Sequence, residues 1–126
     1  MMDRDDEIQV VALEDGPALA IVEGEGTAHA VIWPGIGAQL RSIHRIELAG
    51  GASTIRLRHP SEAVYYVIEG SGETVDVDAA ETKALRPGSM VHIDPGTTYV
   101  LSAGEQGLSL VGGPSPPDPA LYEKAR

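Results

Sequence analysis

The chain has 126 residues, a length suited to one closed hydrophobic core rather than two. Its formal charge of −10 produces a field that repels phosphate backbones and anionic headgroups, so neither nucleic acid nor membrane is the expected partner. The absence of cysteine removes disulfides, thiolate nucleophiles and Cys-type zinc sites.

The opening Met1-Met2-Asp3-Arg4-Asp5-Asp6-Glu7 lacks a basic stretch followed by an apolar one. No apolar run approaches the roughly 18 residues of a membrane span, which predicts a soluble cytoplasmic protein with a flexible start over residues 1–7. Residues 8–13 then read as a short strand, stopped by Glu14-Asp15-Gly16-Pro17. Residues 18–22 and 28–33 repeat the pattern. Trp33 stands at the entrance to the loop Trp33-Pro34-Gly35-Ile36-Gly37, as packing matter or as a stacking surface for a ligand.

Over residues 41–48 a period of two puts Ser42, His44, Ile46 and Leu48 on one face. Residues 54–59 set Ile55, Leu57 and His59 against Thr54, Arg56 and Arg58. Arg41, Arg45, Arg56 and Arg58 are four of the nine basic residues, and two readings stand for them. They pair on the surface with Glu47 and the acidic loops, or they clamp a carboxylate or phosphate.

Residues 63–69 are rich in β-branched and aromatic side chains, and Gly70-Ser71-Gly72 is expected to end that strand. Further strands over residues 74–78, 83–85, 89–93, 97–101 and 107–111 follow at short, even spacing, and no stretch holds helical periodicity. About ten short strands imply a sandwich or barrel. Asp94-Pro95-Gly96 is a turn signal between two of them. The prolines of Gly112-Gly113-Pro114-Ser115-Pro116-Pro117-Asp118-Pro119 lack donors, which predicts an extended, polyproline-like tail over residues 112–126 with one helical turn at its end.

Two stretches carry a family signal: His59-Pro60-Ser61-Glu62-Ala63-Val64-Tyr65-Tyr66-Val67-Ile68-Glu69-Gly70-Ser71-Gly72 and Pro87-Gly88-Ser89-Met90-Val91-His92-Ile93-Asp94-Pro95-Gly96-Thr97-Thr98-Tyr99. Together they resemble the two motifs of the cupin superfamily, small β-barrels that often hold a metal ion. The resemblance implies an all-β fold, a double-stranded β-helix or jelly-roll barrel over residues 8–111, and a homodimer. Counting back from Gly70, the family's glutamate position falls on Ala63, its second histidine on His59 and its first on Leu57. The histidine of the second motif falls on Tyr99, so only His59 matches. A catalytic metal normally takes about three protein ligands. Leu57 and Ala63 have no lone pair, and Tyr99 coordinates only as a phenolate, from a reference pKa of about 10. The expectation is therefore no cofactor; a rebuilt metal site would join His59 to His44 or His92, with Glu62 as a further donor.

If the family's geometry holds, Ile55, Leu57, His59, Ala63, Tyr65, Val67, Tyr99 and Leu101 point into the barrel, an apolar bowl with three polar groups. His59 is the candidate acid or base, and Tyr99 and Tyr65 are candidate hydrogen-bond donors to a carbonyl or enolate. The candidate substrate-binding residues are His44, Ile55, Leu57, Ala63, Val67, His92, Leu101 and Trp33. Metal-free members of the superfamily include epimerases, cyclases and lyases. The resemblance thus implies a small-molecule-binding protein, with metal-independent isomerase, cyclase or lyase chemistry as the leading reading. A non-catalytic binding module and a metal-dependent dioxygenase or isomerase are the alternatives.

Overall fold

The computed structural model describes residues 7–123; the expectations for residues 1–6 and 124–126 lie outside them. Two long antiparallel strands, β5 (Glu62–Asp76) and β8 (Tyr99–Ser115), form the spine, paired from Glu62↔Ser115 to Asp76↔Tyr99. Each has a second flank. The first part of β5 also pairs with β7 (Met90–Ile93), and its last part with β6 (Glu81–Leu85). On its other side β8 pairs with β3 (Ile43–Leu48) and touches β4 (Ser53–Thr54) at Ser53↔Ser102. β3 carries β2 (Gly26–Ile32), and β4 carries β1 (Val22–Glu23). Eight strands so connected wrap one core, an all-β barrel.

Alternation decides which side chains fill it. Along β5, Ala63, Tyr65 and Val67 are buried while Val64, Tyr66 and Ile68 face out at 41%, 44% and 40% exposure. Along β3 and the residue before it, Ser42, His44, Ile46 and Leu48 are buried on the face the period of two assigns them. Two backbone links then set the site. Leu57 and Tyr99 exchange N–H···O=C bonds of 2.9 and 2.8 Å, and the Gly96 N–H donates to the His59 carbonyl at 2.8 Å. They hold residues 57–59 beside the start of β8, although no regular strand runs there.

Several sequence expectations need correction. Residues 8–13 form no strand: Ile8 and Val10 are 84% and 95% exposed, and no neighbouring strand pairs with them. Gly70-Ser71-Gly72 does not end a strand. The register shifts there and β5 continues, so the glycines bend one long strand instead of separating two. Likewise β8 runs through residues 102–106. It also continues past the expected boundary at Val111, with Gly113↔Val64 and Pro114↔Ala63 in register. Pro114 lacks a donor but keeps its acceptor, which takes the Ser42 N–H at 3.2 Å and the Ser42 hydroxyl at 2.5 Å. The expected polyproline tail thus begins as sheet and ends in a short helix, α1 (Pro119–Glu123). No described helix is long and apolar enough to cross a membrane.

Candidate functional site

The site begins at the C-terminal end. Asp118 caps α1, its Oδ1 accepting the Ala120 N–H at 3.1 Å and its carbonyl the Leu121 N–H at 3.1 Å, with Pro119 in the first helical position. Leu121 is buried in the core and anchors the turn. Docked so, Asp118 turns its other oxygen into the protein, where Oδ2 lies 2.8 Å from Nδ1 of His59. Nε2 of His59 lies 2.9 Å from the Tyr99 hydroxyl, and that hydroxyl lies 2.6 Å from the hydroxyl of Tyr65. All four residues are buried. A carboxylate only accepts, so Nδ1 carries a proton toward Asp118; in that tautomer of the imidazole Nε2 accepts from Tyr99, and the Tyr99 oxygen accepts from Tyr65.

Burial decides the charge these phenols carry. It pushes Tyr65 up to about 12, partly offset by the hydrogen bond with Tyr99 and raised again by Tyr122. It raises Tyr99 further, helped by Tyr65 and Asp118. Both hydroxyls therefore stay protonated near neutral pH.

Of the four members, only Tyr99 lines the adjacent cleft, an open hollow of about 420 Å³ between β6 and β7. Buried Leu85, Val91, Ile93 and Tyr99 form its floor with the half-buried Val75; Asp76, Glu81, Lys83 and Asp94 stand around its lip.

The three expected catalytic candidates, His59, Tyr99 and Tyr65, are thus brought into one hydrogen-bonded line. The substrate-binding candidates separate. Leu57, Ala63, Val67 and Leu101 are packed inside the core and do not line the cleft, because a barrel this small is filled by its own side chains. Ile55 is half-buried against that core. His92 reaches the rim of the cleft, but its side chain is exposed and bonds outward to Glu62 at 2.5 Å. Trp33 lies against the Tyr122 ring, 5.1 Å between centroids, beside Pro117 and Pro119 in a separate hollow. As for the arginines, Arg45 pairs with Glu47 at 2.6 Å and none of the four lines the cleft, which favours the surface reading over the clamp.

His44 has a different partner: its Nε2 lies 2.7 Å from the Tyr122 hydroxyl. Burial, with His59 nearby, lowers His44 from 6.5 to about 4, so the fold holds it neutral. An unfolded chain protonates it first as pH falls. Its contribution to stability is therefore complete above pH 6.5 and is lost as pH falls toward 4, on the order of 3 kcal/mol. Urea unfolding at both ends of that window should show a smaller acid loss for His44→Gln than for the parent chain; equal losses would remove His44 as the cause.

The metal implied by the resemblance does not fit these residues. Leu57 and Ala63 offer no donor atom, both ring nitrogens of His59 are engaged, and burial opposes a Tyr99 phenolate. His92 and Glu62 pair on the outer surface, so they do not complete a set with His59. Among the described residues, no three His, Cys, Asp or Glu side chains are grouped to hold an ion.

Asp118 and Tyr122 were missing from the sequence expectations. A signal was present: Asp before Pro is a helix-start pattern, hidden by the proline-rich composition around it.

Solved structures show the same architecture. A polyketide cyclase, RemF, from Streptomyces resistomycificus is 26% identical over 93% of this chain and 83% of its own, with a TM-score of 0.62. A predicted oxalate decarboxylase from Thermotoga maritima is 20% identical over 82% of this chain and 96% of its own, TM-score 0.68. An ectoine synthase from P. lautus is 21% identical over 83% and 75%, TM-score 0.64. Among curated proteins, no sequence matches the chain. Residues 44–108, which hold His44, His59, Tyr65 and Tyr99, match the family model of the cupin domain, and the chain belongs to that family.

Proposed function

We propose that this cupin binds a small, partly apolar molecule in the cleft above Tyr99 and moves a proton on it without a metal, in an isomerisation, cyclisation or elimination. The observation that carries the reading is the line Asp118–His59–Tyr99–Tyr65, of which Tyr99 alone meets the cleft. RemF, the relative at 26% identity, is described as a cyclase, which supports the same class.

The chemistry follows from the raised Tyr99 pKa. A free tyrosinate is too unfavourable to act as base, so Tyr99 takes a substrate proton on its oxygen as its own proton passes to Nε2 of His59. The imidazolium so formed is stabilised by the Asp118 carboxylate. Tyr65 donates to the Tyr99 oxygen and holds its lone pairs in place. Reversal returns the proton to another carbon or to a leaving group.

The test is deuterium exchange. Metabolites that raise the melting temperature are incubated with the protein in D₂O, and a bound carbon acid should gain deuterium by mass spectrometry. A non-catalytic binding role has one observation in its favour, because Tyr99 is 1% exposed and its hydroxyl already has two partners. Saturable binding with neither deuterium nor product would establish that role instead.

The homodimer belongs to the same proposal, with exposed Val64, Tyr66 and Ile68 as its face. A monomer mass by light scattering at micromolar concentration would remove it.

A further inference from the structure

We infer that the cleft selects its ligand by charge, favouring an apolar body with a cationic amine over an uncharged one and turning away carboxylates and phosphates. This rests on the reading of the cleft as the binding site. The floor gives the apolar half of the preference, since Val75, Leu85, Val91 and Ile93 offer little to a charged group.

The lip gives the charge. It carries three carboxylates, Asp76, Glu81 and Asp94, against one ammonium, Lys83. Asp76 and Glu81 stand directly opposite each other across the β5–β6 hairpin, both at the cleft. Like charges in that register destabilise a strand pair, and among the described residues neither has an ion-pair partner. Among the described residues the carboxylates in contact with a basic side chain are Glu47 with Arg45, Asp118 with His59, and Glu62 and Asp94 with His92. Lys83 stands opposite Thr74 and pairs with neither carboxylate. Asp76 uses one oxygen to accept the Ala79 N–H at 3.1 Å, which closes the turn. A protonated amine placed between Asp76 and Glu81 relieves their repulsion, whereas an anion adds a third negative charge to it. The formal charge of −10 extends the same bias to long range. A proton-transfer site over Tyr99 would then act on an amine-bearing or neutral carbon acid.

Three probes of one shape separate the possibilities: phenethylamine, 2-phenylethanol and phenylacetate, each titrated into the ¹⁵N-labelled full chain and followed by NMR. The amine should bind tightest and the carboxylate weakest, about tenfold apart at low salt, with shifts at the Val75, Leu85, Val91 and Ile93 amides. The gap should shrink at about 0.5 M salt. In the Asp76→Asn/Glu81→Gln double variant, whose spectrum first establishes that the fold is intact, it should fall to about twofold. If the alcohol binds in the cleft and the carboxylate binds as well as the amine, or if the double variant keeps the gap, the inference is wrong and the binding site stands. If no probe shifts the cleft amides, the reading of the cleft as a binding site fails, and this inference fails with it.

Discussion

Replacing Tyr99 with Phe should lower ligand deuteration by about two to four orders of magnitude, the usual range for removing a positioned acid or base. The ring stays, so the floor of the cleft keeps its shape and ligand affinity should change little. What goes is the hydroxyl that bonds His59 and Tyr65, carried by the one member of the line that borders the cleft. The variant also leaves Nε2 of His59 and the Tyr65 hydroxyl unpartnered in the core, a loss of about 1–3 kcal/mol in stability. His59→Gln should abolish deuteration to a similar degree. Asp118→Asn is the informative third member, because Asp118 acts through His59 and is a positioning residue. It should lower the rate and move the pH–rate profile by weakening support for the imidazolium, with ligand affinity preserved. Unchanged deuteration in Tyr99→Phe, with the protein folded, would remove the relay from the mechanism.

The second large effect concerns the scaffold. Gly70→Ala should destabilise the fold by about 3 kcal/mol, the sum of a left-handed backbone and an overpacked contact. Gly70 has φ of 87°, and a Cβ there would lie 2.2 Å from the Gly107 carbonyl oxygen and 2.9 Å from its carbon, backbone that cannot swing aside. The residue sits where β5 shifts register against β8, the bend that lets both strands serve two flanks. Gly51 is the control. Its φ is 83°, but a Cβ there meets nothing within 4 Å, so Gly51→Ala should lose only the conformational part, about 1–2 kcal/mol. Urea midpoints at unchanged slope measure both. Equal losses at the two positions would show that the β5–β8 contact does not constrain the barrel.

Parity made much of the site legible. Ala63, Tyr65 and Val67 alternate with Val64, Tyr66 and Ile68, and the buried set is the one that carries Tyr65 to Tyr99. At His92 the same rule points to the surface. It alternates with Val91 and Ile93 and stands opposite Val64, an outward residue, so its side chain belongs to the surface. Composition misled at the tail, where prolines suggested a segment without partners. There the strand survives because only the acceptor of Pro114 is used, and the next residues deliver Asp118 to His59 and Tyr122 to His44. Such contacts join residues 59 and 78 positions apart, and no local pattern encodes them. Most of the residues expected to line the bowl do point into the barrel and are buried there, while the cleft that Tyr99 borders lies between β6 and β7.

Both nitrogens of His59 are committed, Nδ1–H to Asp118 and Nε2 to Tyr99, which leaves none for an ion. Long-range ¹H–¹⁵N NMR of the imidazole reads this directly. The expected spectrum shows a protonated Nδ1 and an unprotonated, hydrogen-bonded Nε2, unchanged when equimolar Zn²⁺ is added. A protonated Nε2 without Nδ1–H, or a shift of His59 on adding the metal, would contradict it.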